Sequence, residues 1–390
     1  MPDLKISELP VAINPSLEDL ILTAQNSGTG NNNITVGTFR NNLFTQFPSA
    51  SATRSTMGVS LDGSTIQYIG AVLASNGKLY VIPHNNQSII IIDSSSETAT
   101  QNYSMGANLS GLYKWQGGVL APNGKIYGIP SNSTDILIID PVANTATRST
   151  MSATLTGTQK WVGGVLSPNG KIYGIPANST DILIIDPVAG TATRSNMGAT
   201  LGGGWSGGVL APNGKIYGIP YNSTDILIID PVAGTATRSN MGATLTGSSK
   251  WQGGVLAPNG KIYGIPRDST DILIIDSIAG TATRSTMSAT LTGFNKWFGG
   301  VLAPNGKIYG IPWDSTDILI IDPVTGTATR SAMGADLTDT FKYAGGALAP
   351  NGKIYGCPIY PKNILIITPE LNTSCNIPIE TCMSAYYNKF

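Results

Sequence analysis

The tetrapeptide Gly-Lys-Ile/Leu-Tyr occurs seven times in the chain, with its lysine at Lys78, Lys125, Lys171, Lys215, Lys261, Lys307 and Lys353. The intervals are 47, 46, 44, 46, 46 and 46 residues. A period in the forties built from several short β-runs is the length of one propeller blade. No segment of the unit has helical periodicity, which excludes ankyrin and tetratricopeptide arrays. The repeat predicts an all-β chain, a seven-bladed β-propeller of four-stranded blades.

One unit illustrates the four strands. Gly207 to Leu210 begins the first, and Pro212-Asn213-Gly214 turns it back. Asn-Gly is a strong hairpin signal because both residues tolerate positive φ. Lys215 to Ile219 is the second strand, ended by Pro220. The third, Asp225 to Ile229, has a continuously apolar centre and is expected to be buried on both faces. Asp230-Pro231 breaks it, and Thr235 to Met241 alternates in the more polar manner of an outer strand.

The outer type also occurs ahead of any first strand, as Ala52-Thr53-Arg54-Ser55-Thr56-Met57. That segment matches Ala146 to Met151 residue for residue. It is expected to close the ring beside Asn363 to Ile367, protecting edges that would otherwise pair with other chains. Thr373 to Asn376 is a poorer competitor for the same place. The chain thus divides into an N-terminal module, 1–45, the propeller, 46–370, and a C-terminal tail, 371–390, that covers an edge or adds a strand.

Twenty-three basic and 23 acidic residues cancel, which removes the electrostatic reason to expect nucleic acid as a partner. Apolar runs such as Ile89 to Ile92 are far shorter than the roughly 20 residues that span a bilayer, so no membrane insertion is expected. The N-terminus has no apolar stretch like a secretory signal, which predicts synthesis without export. Cys357, Cys375 and Cys382 lie near the C-terminus, so no disulfide framework holds the repeats; Cys375 and Cys382 are near enough in sequence to pair across a short loop, but free thiols are the expected state.

The segment Leu4-Lys5-Ile6-Ser7-Glu8-Leu9-Pro10, with Asp19-Leu20-Ile21-Leu22 and Ile34-Thr35-Val36, resembles the N-terminal module of bacteriophage tail-fibre and virion appendage proteins. The resemblance covers about forty residues. It implies a virion location, with attachment to other virion proteins through Ile6, Leu9, Pro10, Leu20, Ile21 and Leu22, and it leaves room for a homo-trimer, since virion fibres are often trimeric. The repeat Ala-Pro-Asn-Gly-Lys-Ile-Tyr-Gly-Ile-Pro resembles propeller repeats of viral and bacterial proteins. That likeness supports the fold and says little about activity, because one architecture hosts many functions.

Nearly identical repeats are their own control. After the second strand, one position reads His84, Ser131, Ala177, Tyr221, Arg267, Trp313 and Ile359. The residue after a recurring aromatic also varies, as Gln116, Val162, Ser206, Gln252, Phe298 and Ala344. The segments ahead of the first strand differ as well, among them Leu112-Tyr113, Phe294-Asn295 and Thr340-Phe341. In an up-and-down blade all three places fall on one face of the disc. The opposite loops, Pro-Asn-Gly and Asp-Pro-Val-Ala-Gly, change less. Neutral drift is the plainer account, but the opposite loops are exposed too. The candidate ligand-binding face therefore comprises His84, Tyr221, Arg267, Trp313, Ile359, Gln116, Gln252 and Phe298; tyrosine, tryptophan and arginine are enriched in binding hot spots.

The series Trp115, Trp161, Trp205, Trp251, Trp297 and Tyr343 occurs in six of the seven blades. Its regularity favours packing between blades over a ring of sugar-stacking platforms. Trp313 stands outside the series and is the better candidate for a ligand-facing indole. Asp135 and its equivalents begin the third strand while Asp140 and its equivalents end it, so the two of one blade do not converge on a metal. Arg148, Arg194, Arg238, Arg284 and Arg330 read as solvated charges that discourage edge pairing.

No cofactor or metal is expected, and no enzyme. The one histidine, His84, reads as a surface residue. Glu97 is the only glutamate within the repeats, and no acid/base pair of a glycosidase stands out. No phosphate loop or nucleophile elbow is present. The expected function is a virion appendage or decoration protein whose propeller recognises a host-surface glycan or protein. A purely structural propeller and a glycan-processing enzyme are the alternatives.

Overall fold

A computed structural model describes residues 49–61, 67–103 and 105–370. The expected attachment residues Ile6 to Leu22, the tail 371–390 with the competing strand Thr373 to Asn376, and Cys375 and Cys382 lie outside them.

Among the described residues, twenty-eight strands form seven four-stranded antiparallel sheets, each a blade. The ring closes as the sequence predicts. β1 (Ser51–Ser55) pairs with β28 (Ile364–Thr368), Ala52 opposite Ile367, and becomes the outer strand of the seventh blade. The Ala52 N–H also donates to Met333 O of the sixth blade, 2.7 Å away. The same bond joins Ala192 to Met151 and Ala282 to Met241, so the outer strand that arrives from the N-terminus takes up the ordinary contact between blades.

In the fourth blade the inner strand, β14 (Trp205–Leu210), starts at the aromatic itself, two residues earlier than expected. Trp205 pairs with Pro220 and Gly208 with Gly218, so Ser206 and Gly207 form a bulge between them. The third strand, β16 (Ile226–Asp230), is shifted by one residue from the expected span; Ile226, Leu227 and Ile229 are buried as foreseen, while Ile228 is half-buried.

The bulge recurs in every blade, and in each it places a glycine against the next inner strand. A Cβ on Gly117 would lie 3.2 Å from the Cα of Gly163, and one on Gly163 would lie 3.3 Å from Gly207. The circle runs on through Gly253, Gly299 and Gly345 to Gly70 and back to Gly117. Seven inner strands can meet around one axis because this position carries no side chain.

The cores lie between adjacent blades. Trp161, fully buried, packs with Val119, Tyr127, Ile129 and Ile136 of the preceding blade and with Ile172 and Leu183 of its own. Tyr68 occupies the equivalent place in the first blade, so the series has seven members, one more than the sequence suggested.

The outer arginines are not the solvated charges expected of them. Arg148 pairs with Asp135 at 2.9 Å and lies 5.4 Å over the Trp115 ring, whose indole N–H donates to Asp135 O at 2.8 Å. Indole, guanidinium and carboxylate therefore form one unit at the rim of the blade, with the cation held against an aromatic face. Asp135 is thus an ion-pair partner, while the turn before it is held by Ser133, whose Oγ accepts from the Asp135 N–H.

Candidate functional site

The variable face is organised by a closed belt of backbone hydrogen bonds. The Lys114 N–H, ahead of the second blade, donates to His84 O of the first at 2.9 Å, and Lys114 O accepts from the Ser131 N–H at 2.8 Å. The alternation continues through Lys160, Ala177, Gly204, Tyr221, Lys250, Arg267, Lys296, Trp313, Lys342, Ile359 and Gln67, whose carbonyl accepts from the His84 N–H. Each variable residue thus has both backbone groups committed, and its side chain carries none of that duty.

The opposite face has the reverse logic. The Asn123 side chain accepts from the Lys125 N–H and donates to the Tyr127 hydroxyl and to Pro187 O of the next blade. All seven turn asparagines, from Asn76 to Asn351, make such a bond to the neighbouring blade. The Pro-Asn-Gly loops are uniform because the asparagine is an inter-blade staple. Their uniformity is therefore no gauge of drift on the other face, where the variable side chains themselves mark what can bind.

They build one continuous cluster on part of the circle. The Arg267 guanidinium lies between two rings, 5.3 Å from the Tyr221 centroid and 5.5 Å from that of Trp313. It donates to Asn295 Oδ1 through Nε and Nη2, and to Gln252 Oε1 and the Tyr221 hydroxyl through Nη1. Trp313 stacks on Phe298 with centroids 4.9 Å apart, and Phe341 meets its edge at 5.9 Å. Phe341 in turn contacts Tyr360. Ile359, Phe298, Trp313, Ile69 and Ala344 close into a small apolar cluster of their own.

Several of the expected site residues are corrected in their exposure. Trp313 is 7% exposed and is no ligand-facing platform; Ile359 is fully buried, and Phe298 and Gln252 are buried as well. Gln116, Tyr221 and Arg267 are half-buried. The aromatic surface open to a ligand belongs instead to Phe341, Tyr360, Tyr113 and Phe294 on the adjoining segments. Three of these lie in segments whose variability marked them; Tyr360 carried no signal beyond its neighbour Ile359.

His84 is also no surface residue, being 4% exposed. Its Nδ1 lies 2.9 Å from Trp115 O, so Nδ1 carries the proton and donates. Burial pushes its pKa down to about 4.

Sequence reasoning missed the lysines that enter the blades. Lys114, Lys160, Lys250, Lys296 and Lys342 are buried. The Lys160 ammonium donates to three carbonyls, Ser131 O at 2.7 Å, Ser133 O at 3.0 Å and Gly157 O at 3.0 Å. Burial pushes these lysines down to about 8. The signal was present: a lysine precedes five of the recurring aromatics, and lysine is otherwise rarely buried. In the fourth blade the link is two residues shorter and Gly204 replaces the lysine, its N–H bonding Ala177 O at 2.6 Å.

No protein-family model matches the chain, and no curated protein sequence matches it. Solved structures do. Virginiamycin B lyase from Staphylococcus aureus superposes with a TM-score of 0.64 at 13% identity, over 82% of this chain and 99% of the lyase. Hydrazine synthase from Kuenenia stuttgartiensis gives 0.60 at 15% identity, over 80% and 97% of the two chains. An extracellular domain of a one component system from B. thetaiotaomicron gives 0.59 at 13% identity, over 83% of this chain and 44% of that one. At these identities the likeness shows the fold alone. It nonetheless corrects the expectation that the chain is no enzyme: the lyase performs catalysis on the same propeller fold, so the absence of a glycosidase-like acid pair does not exclude chemistry.

Proposed function

We propose that the chain is a recognition protein of a virus particle, attached through residues 1–45 and binding a host-surface ligand on the diversified face of its propeller. The observation that carries the binding part is the Tyr221–Arg267–Trp313 stack, mounted on a belt that fixes backbones and leaves side chains free to change. Rigid backbone with variable side chains is the arrangement in which loops acquire recognition without loss of fold. The virion part is supported by the likeness of Leu4 to Pro10 and the segments after it to appendage proteins.

A glycan array probed with the full chain tests the binding. Retention on a defined set of glycans is expected, and Arg267→Ala combined with Phe341→Ala should abolish it. Retention unchanged by both substitutions would overturn the assignment of the face. A chain that binds no glycan and no host cell, yet is found by mass spectrometry in purified particles, would be a structural propeller. The likeness to virginiamycin B lyase favours one further reading, in which the same face transforms what it binds. Mass analysis of the bound ligand after incubation distinguishes it.

A further inference from the structure

We propose that Arg267 and Trp313 form an anion subsite, which makes the ligand of the diversified face an acidic sugar carrying a carboxylate or a phosphate. This rests on the recognition reading above and adds the chemical class to it.

The first ground is charge. On the uniform face each repeat lysine pairs with a carboxylate, from Lys78–Asp93 to Lys353–Glu97, and each outer arginine pairs with an aspartate at the rim. The cations left over among the described residues are the five link lysines, Arg267 and Lys362, all on the diversified side. Against them on that side stand Asp268 and Asp314, each accepting a backbone N–H, and Asp336 in the link ahead of the seventh blade, which accepts from the Thr338 N–H and hydroxyl. Among the described residues the surplus positive charge therefore lies on one side, and a site beside charge of one sign attracts ligands of the other. The link lysines are buried and direct their ammonium groups at backbone carbonyls, so the cations able to touch an anion are Arg267, half-buried in the aromatic cluster, and Lys362, exposed in the turn that follows Ile359.

The second ground is unmet donors. The indole N–H groups of Trp115, Trp161, Trp205, Trp251 and Trp297 each donate to the carbonyl of an aspartate, whereas the Trp313 Nε1 is buried with no partner. A buried donor left unsatisfied costs about 1–3 kcal/mol. Arg267 has five N–H groups, of which four are used by the bonds to Asn295, Gln252 and Tyr221, and all three acceptors are neutral. One guanidinium N–H and one indole N–H thus lack acceptors in side chains that lie against one another. An oxyanion accepts from both. Phe341, 41% exposed and edge-on to the indole, is the ring that swings aside to admit it. With Tyr360 it offers the apolar face of the sugar a surface.

Six indole N–H resonances are expected from the 15N-labelled chain, one per tryptophan, and Trp313→Phe assigns the relevant one. Titration with glucuronate and with glucose 6-phosphate should move that resonance and leave the other five in place. Glucose should not move it. Inorganic phosphate should move it more weakly than the sugar phosphate, since it lacks the ring that the aromatics hold. Arg267→Gln should weaken the acidic sugars roughly tenfold or more, as expected for loss of a charged hydrogen bond; Arg267→Lys should recover only part, because the fork is lost. Five unmoved indole signals certify that each variant is folded. A Trp313 resonance unmoved by either acidic sugar, or moved equally in Arg267→Gln, overturns the subsite. Neutral glycans bound on the array with a silent Trp313 would leave the recognition reading standing and this one refuted.

Discussion

The Lys160 ammonium of the third blade donates to the Ser131 carbonyl of the second, 2.7 Å away, while the Lys160 backbone N–H donates to the same oxygen at 3.1 Å. Two bonds from one residue therefore converge on a carbonyl that belongs to a variable position. The side chain of Ser131 takes no part. This lets the position change while the junction between blades stays put.

Replacing Lys160 with methionine keeps the stem and removes the ammonium. Ser133 O and Gly157 O then lose the donor they share. The expected cost is at least about 2 kcal/mol, from buried acceptors left unpaired. Urea denaturation measures it. A variant as stable as the parent would mean that water already serves these carbonyls.

The same lysines make stability depend on pH. Burial holds them at about 8 in the folded chain, against 10.5 in the unfolded one. Between those values the unfolded state binds more protons, so stability should rise as pH increases from 8 towards 10. Buried Tyr309, Tyr343 and Tyr355 have raised pKa values, so above pH 10 the unfolded chain ionises first and stability should fall again. His84, at about 4 against 6.5, gives a smaller rise between pH 4 and 6.5 by the same reasoning. Thermal melts across this range should show a maximum on the alkaline side, and a flat profile above pH 8 would show that the carbonyl cages keep the ammonium groups charged.

Gly163→Ala should destabilise by more than Gly170→Ala. Both residues have positive φ, +70° and +78°, and both substitutions incur about 1–2 kcal/mol of left-handed strain. Only at Gly163 does the added Cβ meet another strand, at 3.3 Å, while at Gly170 nothing lies within 4 Å. Equal melting temperatures would show that the inner strands can spread.

Asn169→Ala removes a staple to Pro231 O of the next blade and should cost about 1 kcal/mol or more. Ala177→Ser on the belt should stay within about 0.5 kcal/mol. Chemical denaturation of the pair tests whether the two faces differ because one is held by side chains and the other by backbone.

A chain of residues 46–370 should melt like the full chain, whereas 59–370 should lose its cooperative transition and aggregate. The second lacks β1, which leaves the ladder of Ile364 to Thr368 an open edge. Comparable melts for both would mean that another segment closes the ring.

The period of the Gly-Lys-Ile-Tyr motif and the stray outer strand at Ala52 were enough for blade number, strand order and closure. Those depend on local pattern and on counting, which a linear sequence records directly. The packing of Trp161 and its equivalents was legible for the same reason: regular recurrence in a repeat means a shared environment. The sequence also marked Tyr221, Arg267 and Trp313 as the positions where repeats disagree. It did not say that Trp313 lies under Arg267 and Phe341, or that His84 is buried, because exposure depends on neighbours 28 to 46 positions away that only the ring brings together. Nor did it show why one face may vary. A side chain is written in the sequence, but the backbone hydrogen bonds that relieve it of structural duty exist only once seven blades have closed on themselves.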